Sequence, residues 1–278
     1  MKISGMVLVV AIATAAFGGE ERNLHIDGSN GARPLFQALT EAFSKSDPAI
    51  SIELGEGMST TERLEALEAG RIHLASASHG IEAEKLKPFE AVALRFAKMA
   101  VVFGVHETAG VSDLSAIEIS SIYTGAISNW KEVGGADLEI VRLMRPDDEV
   151  DTELVRAGIP GLKELRWDEE VRIIQKSGEL AKELASTPGA IGVTSLVRAM
   201  SAESIEVVAL DGIHPVNVKA DQKSYPLYRD FYVIVPSKPS NEAIQFLRFI
   251  DSSRAGKAMA DSFAENSPGE IGPYLEAR

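Results

Sequence analysis

Short apolar runs alternate with stretches of helical periodicity along the chain from Asn23 onward. The runs have the length of strands, and clear helix start signals follow them, such as Pro34 in a first turn and the capping-box pair Ser59 and Glu62. This alternation is typical of an α/β architecture with mostly parallel sheets. Strands are predicted at 24–26, 50–54, 72–75, 100–105, 138–143, 190–193, 207–210 and 231–235, and further helix starts at Asp113, Ser177 and Ser240.

Two of these strands, 100–105 and 231–235, are continuous apolar runs, which is typical of strands buried on both faces. If each of them crosses between two lobes, residues 21–103 together with 231–278 form one lobe and residues 104–230 form the other. A cleft between two such lobes is the default place for a ligand.

The first twenty residues have the pattern of a secretory signal peptide. Lys2 precedes an apolar run over 3–17, and small residues follow it before an acidic pair. The run is shorter than the about 20 residues that span a bilayer, although a retained N-terminal anchor helix is the alternative. Residues 1–20 are therefore predicted to be a signal peptide, and the mature protein to be periplasmic or otherwise extracytoplasmic.

Composition excludes several classes of function. The 278 residues contain no cysteine, which excludes a disulfide scaffold, a thiolate metal centre and a cysteine nucleophile. The formal net charge of −13 argues against nucleic acid as a partner, because the field of the chain repels phosphates at long range. Nucleophile-elbow, Walker and H-E-x-x-H motifs are absent from the sequence, and five histidines are scattered. We therefore predict no metal, no cofactor and no catalysis.

Three strand ends carry small polar residues, at 27–31, 55–61 and 75–80. The first two directly precede helices, whose free N–H groups and positive dipole ends favour anions. Plain helix capping explains any one of these loops, but three together indicate a shared anion or carboxylate pocket.

Two arginines, Arg142 and Arg145, close the strand predicted at 138–143. An arginine at a strand end can clamp an oxyanion with two parallel N–H groups. The alternative is an ion pair with Asp147 or Asp148, and the two roles are compatible because a carboxylate often orients a clamping arginine.

Taken in order, these motifs resemble the phosphate-binding periplasmic protein family. Residues 28–35 (GSNGARPL) resemble its opening G-S-T-x-x-x-P-L loop, and residues 122–135 (IYTGAISNWKEVGG) resemble its I-F-x-G-x-I-x-N-W-x-E-V-G-G string. Residues 69–79, 187–193 and 225–229 follow in family order. The resemblance implies an α/β, two-lobed type II periplasmic-binding-protein fold, with two mixed sheets flanked by helices and two crossover hinge strands.

The same resemblance implies a ligand pocket, residue by residue. Its predicted members are Ser29, Asn30, Gly31, Ser59, Ser78, the clamp Arg145, and Thr152.

The chain also departs from the family pattern. Glu149 and Asp151 occupy places where the family has small polar residues, His73 replaces an aspartate, and His79 replaces an arginine. Each carboxylate would cost a bound oxyanion about 3 kcal/mol at an effective dielectric constant near 20. The interpretation we favour has both acids capping the helix at 152–155. The alternatives are a protonated acid that donates to the ligand, and a ligand that carries a positive group.

The resulting hypothesis is an exported, monomeric solute-binding protein that captures a small oxyanion, phosphate first among them, for a membrane ABC permease. Three alternatives stay open: a receptor of the same fold for an organic or amino-bearing ligand, an extracytoplasmic sensory module without transport, and a phosphate-ester hydrolase.

Overall fold

The computed structural model describes residues 22–217, 225–267 and 269–278, so the predicted signal peptide lies outside the described residues. The strands are β1 (Arg22–Gly28), β2 (Ile50–Leu54), β3 (Leu74–Ala77), β4 (Ala91–His106), β5 (Asp113–Leu114), β6 (Val141–Met144), β7 (Arg172–Ile173), β8 (Ala190–Ser195), β9 (Ile205–Val207), β10 (Ala209–Leu210), β11 (Tyr228–Pro236) and β12 (Ala264–Asn266). The α-helices are α1 (Arg33–Ser46), α2 (Thr60–Glu68), α3 (Ala83–Leu86), α4 (Ala116–Tyr123), α5 (Val150–Gly158), α6 (Ser177–Ser186), α7 (Leu196–Met200), α8 (Asn241–Ile250), α9 (Ser253–Asp261) and α10 (Ile271–Glu276). None of the helices in these described ranges is long and apolar enough to cross a membrane.

The main sheet has the strand order β2-β1-β3-β11-β4-β8-β6-β7, and β9 and β12 also pair with β4. Its outer strands are parallel, as in the pairs β1–β2, β1–β3, β6–β8 and β6–β7. Its central strands β11 and β4 are antiparallel to their neighbours. The predicted mixed α/β architecture is confirmed, whereas the expectation of mostly parallel pairing holds only for the outer strands.

Strand β4 belongs to both halves of this sheet. It pairs with β11 up to Ala100 and with β8 from Val101 to Val105. Every residue from Phe96 to His106 except Lys98 is buried, as expected of a central strand covered on both faces. The strand starts earlier than the predicted 100–105, because Arg95 and Lys98 interrupt its first half, so the long continuous apolar run begins only after Lys98.

Side-chain capping marks the start of four of the described α-helices, α2, α4, α8 and α9. The capping box at Ser59 and Glu62 is present, and Ser240 accepts a hydrogen bond from the backbone N–H of Ala243. The predicted helix start at Asp113 is wrong: Asp113 lies in β5, and α4 begins after Ser115, which forms a capping box of its own. Asp113 is a strand residue because its backbone pairs with that of Ala209 in β10.

The strand predicted at 138–143 begins only at Val141. The residues before it close a turn, in which Trp130 N–H donates to the carbonyl of Leu138 and Ile140 N–H donates to that of Ser128. The strand predicted at 207–210 is divided between β9 and β10, because Val208 N–H turns to the carbonyl of Phe103.

Candidate functional site

A cleft of about 520 Å³ lies where the loops after β1, β3 and β6 meet the starts of α2, α5 and α6. Its polar lining residues include Ser29, Asn30, Ser59, Thr60, Arg63, Ser78, His79, Arg145, Asp148, Glu149, Asp151, Glu153, Lys176, Ser177 and Arg229. Loops at the ends of rigid strands are the usual place for binding groups, because the sheet fixes their positions.

Two serine hydroxyls form the uncharged part of the site. The Oγ atoms of Ser29 and Ser78 lie 2.9 Å apart, and the backbone N–H of Gly31 donates to Ser29 Oγ at 3.2 Å. One hydroxyl hydrogen is used between the serines, so the other is free to donate to a ligand. A Cβ atom at Gly31 would lie 2.7 Å from Ser78 Oγ, so only glycine permits this close approach.

Arg145, directly after β6, is buried at 5% exposure. Its Nη2 lies 2.5 Å from Glu149 Oε1, whereas its buried Nη1 has no hydrogen-bond partner among the described residues. A buried N–H left unpaired is costly, and an oxyanion in the cleft would satisfy it. This guanidinium is therefore half satisfied by the protein itself.

A second arginine, Arg63, lies on the buried side of α2 at 2% exposure. Its Nη1 donates to the carbonyl of Ser76 at 2.8 Å and its Nη2 donates to Thr60 Oγ1 at 2.6 Å. Burial lowers the pKa of Arg63 to about 10, so the side chain is still cationic at neutral pH. None of the ion pairs in the described part of the chain includes Arg63, and its positive charge is thus available to an anion.

The third arginine, Arg229 on β11, connects the two sides of the cleft. Its Nη1 donates to Asp151 Oδ1 on α5 at 2.7 Å, and its Nη2 donates to the carbonyl of Gly31 at 3.2 Å. Both side chains of the ion pair are less than one-tenth exposed. Asp151 therefore neutralises Arg229 inside the protein.

His79 lies beside these charges, and its buried Nδ1 has no hydrogen-bond partner among the described residues. Burial lowers the pKa of His79 from its ordinary value, and the cations of Arg63, Arg229 and Lys85 lower it further, while Glu149 opposes them. The native state thus favours the neutral imidazole.

This environment predicts a pH effect on stability. The unfolded chain protonates His79 near pH 6.5 and the native state only at lower pH, so the free energy of unfolding should fall as pH drops below about 6.5. Urea unfolding of His79→Gln between pH 7 and pH 5 should show a smaller fall than wild type. His214→Gln, outside the cleft, is the control, and an unchanged pH slope in His79→Gln would contradict the assignment.

The structure brings six of the predicted ligand-binding residues together along the cleft: Ser29, Asn30, Gly31, Ser59, Ser78 and Arg145. Thr152 is a correction, because it is fully buried and its Oγ1 donates to the carbonyl of Arg145 at 3.1 Å. Its hydroxyl holds the loop that carries Arg145 and does not line the cleft.

The capping interpretation of the two acids is wrong. Glu149 is the N-cap residue of α5, but its side chain makes no capping hydrogen bond and meets Arg145, while Asp151 meets Arg229. Both carboxylates pair with an arginine and not with the N–H groups of the helix start, because an arginine–carboxylate contact is the stronger interaction.

Nor does either Arg142, within β6, or Arg145, directly after it, form an ion pair with Asp147 or Asp148. Asp147 bonds to Arg156, and Arg142 meets Glu170 and Asp168 away from the cleft.

Sequence reasoning missed Arg63 and Arg229 as site residues. Arg63 follows Thr60 and precedes Leu67 on one helix face, so a basic residue in the buried stripe was a readable signal. Arg229 closes the 225–229 string, but nothing local indicates that a β11 residue reaches α5. Among the described residues, no group of three or more histidine or acidic side chains is placed to hold a metal ion.

Comparisons with known proteins identify the family and the fold. A family model described as the PBP superfamily domain matches residues 13–254. The phosphate-binding protein PstS of Bacillus subtilis (strain 168) is 29% identical over 248 residues, covering 87% of this chain and 80% of that protein. A Clostridium perfringens structure, described as a phosphate ABC transporter substrate-binding protein with bound phosphate, is 25% identical with a TM-score of 0.75, covering 88% of this chain and 100% of that one. An ABC-type phosphate transport receptor from Vibrio cholerae, at 20% identity and a TM-score of 0.60 over 87% of this chain and 99% of that one, shares the fold.

Proposed function

We propose, from the premise that this chain belongs to the PBP superfamily and has the type II periplasmic-binding-protein fold, that it captures phosphate in the cleft for an ABC permease. The observation that carries the proposal is that Nη1 of Arg145 has no partner among the described residues, in a cleft that also offers a spare serine hydroxyl and the cation of Arg63. The names of the Bacillus subtilis and Clostridium perfringens relatives support the choice of phosphate.

Capture depends on closure of two lobes, residues 21–103 with 231–278 and residues 104–230. Ser29 and Ser78 belong to the first lobe and Arg145 to the second, and all three line the cleft. A bound anion therefore contacts both lobes only when the lobes move towards each other. Arg229, which donates to Asp151 and to the carbonyl of Gly31, provides a fixed connection at the base of this movement.

The proposal extends to the setting of the protein. A signal peptide over residues 1–20 exports the chain, and a monomer binds its ligand in the periplasm or another extracytoplasmic space. The ligand leaves unchanged, since the cleft groups described above bind and orient an anion without an activated nucleophile beside it.

Isothermal titration calorimetry with phosphate, sulfate, molybdate and tungstate tests the function. Phosphate should bind with a stoichiometry of about one and raise the melting temperature, since a ligand that binds only the native state stabilises it. No heat and no thermal shift with any of the four anions would refute the oxyanion proposal.

The acids of the cleft favour a second candidate, a receptor for an amino-bearing ligand. Asp148, Glu149 and Glu153 all line the cleft, and Asp148 and Glu153 are exposed. A protonated amine could meet them where a phosphate could not.

Glu149→Gln separates the two candidates. Glu149 occupies Arg145 Nη2 and repels an anion, so its neutralisation should strengthen phosphate binding about tenfold. Glu153→Gln removes the same charge from the cleft without touching an arginine, and should change the Kd less than about threefold. Weaker phosphate binding by Glu149→Gln in calorimetry would count against the phosphate proposal and favour the amine receptor.

A further inference from the structure

A second cavity of about 690 Å³ adjoins the cleft. The two spaces share Asn30, Lys176 and Ser177 in their linings, so they meet at the point where the loop after β1 faces the start of α6. The cleft alone falls within the about 300–1,000 Å³ that accommodate an organic ligand, and inorganic phosphate has only five heavy atoms. The combined space therefore has room for more than phosphate.

The second cavity contains a cation that has no ion-pair partner in the described part of the chain. Arg198 on α7 lines it, is only partly exposed, and forms neither a hydrogen bond nor an ion pair with any residue of 22–217, 225–267 or 269–278. Its Nη1 is 3.6 Å from the position that a Cβ atom of Gly178 would occupy, which places the guanidinium beside the first turn of α6.

Arg198 also interacts electrostatically with the cleft. Burial lowers the pKa of Arg198. The positive charges of Arg229 and Arg145 lower this pKa further, and the negative charge of Asp151 raises it. Positive charges that disfavour one another are relieved by an anion, and an anion beside Arg198 would gain a two-pronged hydrogen-bonding partner.

The wall of the second cavity is partly aliphatic. Its lining includes Pro34, Ala181, Ala185 and Val197. Such a wall favours a short carbon skeleton over a chain of water-binding groups.

We propose that the site takes a phosphate monoester or phosphonate that carries a second anionic group on a short carbon skeleton, with the phosphoryl group at Arg145 and the second anion at Arg198. The proposal rests on the proposed phosphate site and deepens it by naming the ligand class. Arg198 is then a determinant of specificity and makes no contact with inorganic phosphate.

The test compares two probes that differ only in the second charge. 3-Phosphonopropionate carries a carboxylate on its chain, and propylphosphonate has a methyl group there. In calorimetry the wild type should bind 3-phosphonopropionate at least about tenfold more tightly than propylphosphonate, as expected for one charge-assisted contact. Arg198→Gln should reduce that preference to about twofold or less and leave the Kd for inorganic phosphate within about twofold of wild type.

A second variant tests the cavity without removing a charge. Ala181→Leu fills the aliphatic wall, so both phosphonates should bind more weakly while inorganic phosphate is unaffected. Circular dichroism and the melting temperature confirm that each variant is folded.

Four results would overturn the proposal. Equal binding of the two phosphonates by wild type, or a preference that persists in Arg198→Gln, overturns this inference alone when inorganic phosphate still binds. If Arg198→Gln weakens the binding of inorganic phosphate as much as that of 3-phosphonopropionate, Arg198 attracts all anions alike. That result also overturns this inference. No binding of any probe by wild type, phosphate included, overturns both this inference and the proposed function.

Discussion

Replacing Arg145 with glutamine is expected to weaken phosphate binding about 100-fold, because the charge-assisted hydrogen bonding from Nη1 to the ligand is lost together with the positive charge. The side chain is buried and its Nη1 has no partner among the described residues, so the ligand is what completes its hydrogen bonding. Calorimetry with phosphate gives the Kd directly. Arg145→Lys keeps the charge but loses the planar fork, and should fall between wild type and Arg145→Gln.

Arg172→Gln is the matched control for this prediction. Arg172 lies on β7, the strand beside β6, but its guanidinium is exposed and pairs with Glu183 away from the cleft. Its replacement should leave the Kd for phosphate unchanged. If Arg145→Gln is folded and binds phosphate within about twofold of wild type, Arg145 is not the clamp.

The second large effect is on stability. Asp151→Asn should lower the free energy of unfolding by about 3 kcal/mol, because it leaves the guanidinium of Arg229 buried without its counter-charge. Urea unfolding at neutral pH measures this change. Since the variant also adds an uncompensated positive charge beside the cleft, phosphate should raise its melting temperature more than that of wild type.

Asp148→Asn provides the comparison, because Asp148 lines the same cleft but is exposed and takes part in none of the ion pairs between described residues. Its stability should be that of wild type within about 0.5 kcal/mol. Equal stabilities of Asp151→Asn and wild type would show that the Arg229–Asp151 contact does not hold α5 against β11.

Helix starts and buried strands were readable from the chain because their causes are local. Ser59 with Glu62 and Ser240 with Ala243 satisfy backbone N–H groups within one turn, and β2 coincides with its predicted range. The prediction failed where the conformation of a residue depends on a partner that is distant in the sequence. Asp113 became a strand residue through pairing with β10, nearly a hundred residues further along the chain.

The same distinction applies to the site. The sequence by itself determined the α/β class and the small polar strand ends, and it indicated Arg142 and Arg145 as candidate cations, because each depends on residue types within one loop or one strand. The family resemblance then selected Arg145. Only the tertiary structure decided what Glu149 and Asp151 do. Each acid could cap the nearby helix or pair with an arginine, and in the structure each pairs with an arginine. The partner of Asp151, Arg229, is 78 residues further along the chain. A contact of that kind exists only once the sheet has brought β11 beside α5, and its strength depends on the burial that the folded chain provides.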